Sequence, residues 1–235
     1  MYKGKTTIGM ITARGGSKGL PGKNIRQFNG QPLLYWTIQA AKESKYLDRL
    51  VITTDCSEIA GIAEQFGCEV PFLRPKELAA DTSPSNVAIT HALECLNENY
   101  DYLTILEPTS PLREGKDIDQ SIEIIVDEKM KSVLSVSKVE AHHPQFLFNK
   151  SDQNIMSNYL RHDYKSVRRQ DISSLYALDG SIYTVRTQDY LQTGEVVFDG
   201  ATFALQLESW KEYEIDTLDD FIAAEALAKE YTYEN

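Results

Sequence analysis

Four short apolar runs, at residues 8–12, 49–54, 102–106 and 132–137, are separated by stretches whose apolar positions recur at helical spacing. The helical stretches fall at 33–42, 58–66, 85–97 and 118–128. Pro32 and Pro84 stand at the start of two of them, and Gly67 closes a third. A strand–helix alternation of this kind is satisfied by a mostly parallel sheet covered on both faces, so the pattern predicts an α/β, Rossmann-like fold in three layers. A fifth short run, 69–73, reads as a minor strand. Beyond the break described next come strand patterns at 181–186, 201–207 and 212–215, a short helix at 188–191 and a last helix at 218–230.

The rhythm breaks after Val139. Residues 140–178 are polar, aromatic and charged, with weak period-two patches at 145–148 and 159–164. Loops of this length are uncommon in compact domains, so the segment reads as an insertion that packs on a partner. The 235 residues otherwise fit one domain, 1–235.

The chain carries 24 Lys and Arg against 35 Asp and Glu, a net charge of −11, which argues against broad binding to nucleic acid or to an anionic membrane. Cys56, Cys68 and Cys95 form no C-x-x-C pair and read as ordinary core or surface residues. The amino end shows no long apolar segment, and no run approaches the roughly 18–20 apolar residues of a spanning helix. The expectation is a soluble, cytoplasmic protein.

Against that acidic background one loop stands out. Ala13-Arg-Gly-Gly-Ser-Lys-Gly-Leu-Pro-Gly-Lys-Asn24 follows the first strand and holds four glycines and three cations, Arg14, Lys18 and Lys23. Glycines let the backbone turn several N–H groups toward one point, and cations neutralise what sits there, so the loop suits a polyphosphate. It matches neither the P-loop nor the dinucleotide spacing of glycines. Arg14, Ser17, Lys18 and Lys23 are the candidate phosphate ligands, and Gly15 is a candidate nucleotide-binding residue of the same loop. Parallel sheets bind ligands beyond the carboxyl ends of their strands. The loop, Asp55, Arg74 and the turn from Glu107 to Arg113 all follow strands, so they are expected to converge on one sheet edge.

The loop resembles the amino-terminal signature of the acylneuraminate cytidylyltransferases, the CMP-sialic acid synthetase family. The resemblance extends through Arg74-Pro-Lys-Glu-Leu-Ala-Ala-Asp-Thr82, Glu107-Pro-Thr-Ser-Pro-Leu-Arg113, His142-His-Pro144, Asp179-Gly-Ser-Ile-Tyr183 and Glu214-Ile-Asp-Thr217. It implies a nucleotide-diphospho-sugar transferase type of fold and a homodimer formed through the inserted arm. It also implies transfer of CMP from CTP to a nonulosonic 2-keto sugar acid with Mg²⁺ or Mn²⁺. By the same resemblance, Arg14 and Lys23 serve the phosphates, Asn24 the ribose or base, and Arg74, Ser83 and Ser85 the nucleotide. Glu107, Arg169 and Tyr183 serve the acceptor, and Glu214 and Asp216 the metal, with Arg14, Lys23 and Asp216 the catalytic set.

Local readings stand beside these. Ser83 and Ser85 could cap the helix that begins there, and Asn24 could cap a turn. Arg168 could take the role of Arg169, and Tyr183 could be a core aromatic. Glu214 and Asp216, two apart on a strand, would share one face and suit Mg²⁺. Thr217-x-x-Asp220 reads as a capping box. His142 and His143, being adjacent, point apart and read as a hinge into the arm rather than as a zinc site. The chain departs from the resemblance at Glu107 and Asp179, where Gln and Asn are common. Those changes make the acceptor side more acidic and point to an acceptor other than plain N-acetylneuraminate. A sugar 1-phosphate transferase would need a second cationic cluster, for which only 165–169 offers itself. A nucleotide-binding regulator without turnover is the reading from outside enzymes.

Overall fold

The structure, a computed structural model, describes residues 1–232 except 18, 81, 140–141 and 161–167, and not the side chains of 169 and 232. Strand β1 (Thr7–Thr12) is followed by a small hairpin, β2 (Gln27–Phe28) and β3 (Gln31–Pro32), which leads into helix α1 (Leu33–Glu43). Then come β4 (Arg49–Thr53), α2 (Ser57–Gln65), α3 (Ser85–Leu96), β5 (Tyr102–Leu106), α4 (Gly115–Asp127) and β6 (Ser132–Lys138). An arm carrying β7 (Phe148–Lys150) and β8 (Met156–Asn158) precedes β9 (Tyr176–Arg186), α5 (Thr187–Thr193), β10 (Thr202–Gln206) and α6 (Leu218–Thr232).

The main sheet has the order β10-β6-β9-β5-β1-β4. The pairs β1–β4, β1–β5 and β6–β10 are parallel, and β9 runs against both β5 and β6. Strand alternation sorts the apolar residues onto two faces. Ile8 and Met10 of β1 and Leu103 and Ile105 of β5 pack with Ile89, Ala92 and Leu93 of α3 and Tyr190 of α5. Ile11 and Leu106 pack on the other face with residues of α1, α2 and α4, among them Leu34, Ile59 and Ile118. Each such fully buried aliphatic side chain contributes about 1.5–3 kcal/mol, and the two cores together make the three-layer arrangement the periodicity predicts.

A third cluster decides where the carboxyl end lies. Ile215, Phe221, Ala224 and Ala228 pack on Leu20, Phe28, Leu33 and Leu112. The chain after β10 is thereby drawn back over the loop that follows β1. Lys211 strengthens the return. Its ammonium is fully buried and lies 2.9 Å or less from Glu114, Asp117 and Glu208. Glu114 and Asp117 are at the same time the capping box of α4.

Two expected strands are absent as such. Residues 69–73 make only isolated parallel bridges, Val51 to Glu69 and Thr54 to Leu73, because β4 is an edge strand and the following chain touches it at single points. Residues 212–215 form no strand either; Ile215 N–H donates to the Thr109 carbonyl at 2.7 Å, one contact rather than a ladder. The strand expected at 181–186 is longer and begins at Tyr176, inside the insertion. At the base of the arm Val139 N–H bonds the Leu175 carbonyl at 2.9 Å. His143 Nδ1 accepts from Gln145 N–H, and its Nε2 lies 3.2 Å from the Ser173 carbonyl, so this histidine ties together the two strands of chain at the base of the arm. Most of the patch at 159–164 lies outside the described residues.

Candidate active site

The chain leaves β1 for β4 on one side and comes back to β5 on the other, so the strand order reverses between β1 and β5. Loops diverge at such a point and leave a crevice at the carboxyl ends of the strands. A cavity of about 390 Å³ opens there. The loop after β1 lines it with Arg14, Ser17, Gly19, Lys23 and Asn24. The approach to α3 adds Arg74, Ser83 and Ser85, the end of β5 adds Glu107 and Thr109, and the returning carboxyl segment adds Glu214 and Asp216.

The loop is held from both sides. Gly15 N–H donates to Asp55 Oδ1 at 2.9 Å, so this backbone donor serves the loop and does not line the cavity. The N–H of Gly15, a residue expected to bind nucleotide, is thus taken by Asp55. Asn24 is buried, and its amide donates to the Arg14 carbonyl at 3.1 Å, which shapes the loop instead of capping a turn. Lys23 donates to the Ile215 carbonyl at 2.6 Å and to Asp216 Oδ1 at 3.0 Å, tying the two ends of the chain together. Lys18 lies outside the described residues.

Gly19 is where that approach is tightest. A Cβ there would fall on the Asp216 carbonyl oxygen, well inside van der Waals contact, and a backbone atom cannot swing away. Gly19→Ala is therefore expected to displace the Asp216 segment and cut turnover about tenfold or more, with the melting temperature little changed. Steady-state kinetics beside a thermal melt checks this, and unaltered turnover would refute it.

Arg74 is nearly buried, 3.7 Å from Asp55, and its Nε has no hydrogen-bond partner. Burial lowers its pKa, and Asp55 opposes the shift. A buried donor without an acceptor is costly unless a ligand supplies one. The capping readings of Ser83 and Ser85 fail. Pro84 occupies the cap position of α3 with no side-chain cap, and Ser83 Oγ instead donates to the Glu77 carbonyl at 2.7 Å.

On the acid side, Thr217 and Asp220 do form the capping box: Thr217 N–H reaches Asp220 Oδ2 at 2.8 Å, and Asp220 N–H reaches Thr217 Oγ1 at 3.3 Å. Asp220 thus serves the helix, and the Asp216 side chain stays 73% exposed. Burial, then the negative charges of Glu107 and Asp216, hold the Glu214 carboxyl above its ordinary pKa. Burial also raises Glu107, against Arg113 and Lys23. Glu214 and Asp216 line the same cavity although no strand carries them.

Tyr183 does not line the cavity; it packs on the core cluster beneath α3, and burial first, with the charges of Glu107 and Glu214, raises its phenol pKa. The half-buried Tyr183 thus packs on the core while its phenol stays within electrostatic reach of the cavity-lining Glu107 and Glu214. The Arg169 side chain lies outside the described residues. Arg168 is exposed and pairs with Asp171 at 2.8 Å.

Two residues escaped the sequence reading as parts of the site. Thr109 lines the cavity and its carbonyl anchors Ile215. Arg113 is buried, and its guanidinium donates to the Ser181 carbonyl at 2.6 Å, to Thr37 Oγ1 at 2.7 Å and to the Glu107 carbonyl. Burial pushes its pKa down to about 10, with Glu107 and Asp179 opposing. Arg113 closes the Glu107 motif, and that was the available signal.

The fold and the cavity define an α/β protein with a cationic loop facing paired carboxylates at the reversal of strand order. Residues 8–234 match the family model described as Cytidylyltransferase, and the chain belongs to that family. It is 33% identical to an N-acylneuraminate cytidylyltransferase of Escherichia coli O18:K1:H7 over 91% of its own length, but spans only 50% of that relative. It is also 33% identical to a CMP-N,N'-diacetyllegionaminic acid synthase of Legionella pneumophila, covering 94% of this chain and 95% of the relative. Among solved structures, a CMP:2-keto-3-deoxy-manno-octonic acid synthetase complexed with CTP superposes with a TM-score of 0.70 over 96% of this chain and 99% of that one, at 16% identity, a likeness of fold. No helix among the described residues is long and apolar enough to cross a membrane.

Proposed function

We propose that the protein transfers CMP from CTP to the anomeric hydroxyl of a nonulosonic sugar acid, releasing pyrophosphate. The observation that carries this is the convergence of Arg14, Lys23, Arg74, Glu214 and Asp216 on one cavity at the reversal of strand order. Relatives named for sialic and legionaminic acids, matched over most of this chain, support the choice of acceptor class.

Nucleotidyl transfer asks a protein chiefly for position and for charge. Arg14 grips phosphate oxygens in two places at once, and Lys23 offers a compact charge to the departing pyrophosphate. Arg74 presents its unpartnered Nε to the nucleotide, with Ser83 and Ser85 beside it. Mg²⁺ or Mn²⁺ fits Glu214 and Asp216 as hard oxygen donors. No cluster of three metal-type side chains is present among the described residues, so phosphate oxygens and water would complete the shell. When bound, the ion offsets phosphate charge and makes the attacking hydroxyl more acidic. Asp216 also holds Lys23 in place, so one carboxylate orients both.

The test is pyrophosphate release with CTP and Mg²⁺ against ATP, GTP and UTP, with sugar acids and sugar 1-phosphates as acceptors. Release confined to CTP and a sugar acid is the expected result, abolished by a chelator and restored by Mg²⁺. Tight CTP binding without release from any acceptor would sink the proposal in favour of a regulator.

The arm supports a further part of the reading, pairing with a second copy. Ile155 and Met156 are 65% and 61% exposed on the β7–β8 hairpin, close to Tyr159 at 56%. Apolar side chains grouped on a projecting hairpin fit an interface. The double change Ile155→Asp and Met156→Asp is expected to convert a dimer into monomer by light scattering, and a wild-type monomer would refute it.

A further inference from the structure

Glu214 and Asp216 are accounted for by the metal in the reading above. Glu107 is not. Its carbonyl oxygen is clamped by Arg113, so the residue is firmly placed at the end of β5. Its carboxylate, which lines the cavity, takes no hydrogen bond from another side chain or backbone N–H among the described residues. Asp179 is 3% exposed; Oδ1 takes the Ser135 hydroxyl and the Ser181 N–H, while Oδ2 has no partner. The charge of Asp179 bears on Glu214. Gly180 brings this stretch against Glu214, whose Cδ would lie 3.1 Å from a Cβ at that position.

This end of the cavity is lined by the half-buried Glu107 and the more exposed Glu214 and Asp216, with the buried Asp179 behind Glu214. Among the described residues Arg14, Lys23 and Arg74 are the cations lining the cavity; the charge of Lys23, already bonded to Asp216, reaches Glu107, and Arg113 is committed to three oxygens. A sugar acid adds one more negative charge. Such a ligand is repelled unless it also brings a strong donor to the carboxylate that metal does not neutralise.

We propose that Glu107 is a specificity-determining residue that pairs with a basic nitrogen substituent, amino or amidino, on the sugar acid. The acceptor class is then a nonulosonic acid with a charged nitrogen, in preference to one whose nitrogens are all acylated. The proposal rests on the cytidylyl-transfer reading and narrows it.

The experiment uses the full chain with CTP and Mg²⁺ and two acceptor acids that differ at one nitrogen, acetylated in one and bearing a free amine or acetimidoyl group in the other. Pyrophosphate release should favour the basic acid by about tenfold or more in kcat/KM, the range of one charge-assisted hydrogen bond. Glu107→Gln, which keeps size and shape, should bring that ratio close to one, with the change falling in the KM of the basic acid. A ratio that Glu107→Gln leaves unchanged, or a wild type that favours the acetylated acid, overturns the inference while leaving cytidylyl transfer intact. Absence of release with every acid tested overturns the transfer reading, and the inference with it.

Discussion

Lys23→Met is expected to lower CTP-dependent pyrophosphate release by about 10²–10³-fold, the usual scale for removing one preorganised charge from a developing oxyanion. Two losses combine in this variant. The charge that meets the leaving pyrophosphate disappears, and so do the bonds to the Ile215 carbonyl and Asp216 that join the loop after β1 to the carboxyl segment. Methionine keeps the length and apolar stem of a side chain only 12% exposed, so the fold should persist. Lys23→Arg should recover part of the charge but not the compact geometry. Single-turnover rates beside a thermal melt separate the effects. A Lys23→Met protein within fivefold of wild type would remove this residue from the chemistry.

The second large effect concerns stability. Lys211→Met should cost about 3–5 kcal/mol, because it leaves the partners of a fully buried ammonium without their counter-charge. Each kcal/mol corresponds to roughly 2–4 °C of melting temperature in a chain of this size, so a fall above about 6 °C is expected. The pH dependence follows from the shifts. Burial would lower Lys211, but Asp117, Glu114 and Glu208 prevail and hold its pKa above 10.5. That contribution is complete below the unfolded value and fades as pH rises through the higher folded one. Glu208 is held below 4.5 by the hydrogen bond from Lys211, so its share is present above that value and fades as pH falls through the lower folded one. The wild-type advantage over Lys211→Met should thus be greatest between about pH 5 and pH 10. A flat difference across that range and beyond, or a loss under 1 kcal/mol, would contradict the buried network.

The elements that carry most of the core were legible because their signal is local. Continuous apolar runs in β1 and β5, and helical spacing in α1 and α4, each report burial from a short stretch of chain, whatever the neighbours are. The loop after β1 was legible for a similar reason, since its glycines and cations make sense only against an anion. Residues 69–73 and 212–215 were misread as strands. Extended, apolar chain looks the same whether it finds a ladder or touches an edge at one residue, and the partner decides which.

The site was legible as a set of residues and only partly as an arrangement. Tyr183 could have faced the cavity or the core; in β9, opposite Ile105, it packs with Ile8 and Val185 and keeps its phenol within reach of the charges of Glu107 and Glu214. Ser83 could have capped α3, but Pro84 took that position and left Ser83 bonded to Glu77.

What the sequence determined by itself was the layered fold class, the anion-binding loop and the chemical types available to it, all properties of short segments and their periodicity. Only the tertiary structure decided that Lys23 meets Asp216 across 193 positions, that Arg113 clamps Glu107, and that Lys211 is sealed among carboxylates. Such meetings depend on strand order and on where the carboxyl segment finds apolar surface to bury. Both are settled by the packing of the whole chain, and no window of local sequence contains them.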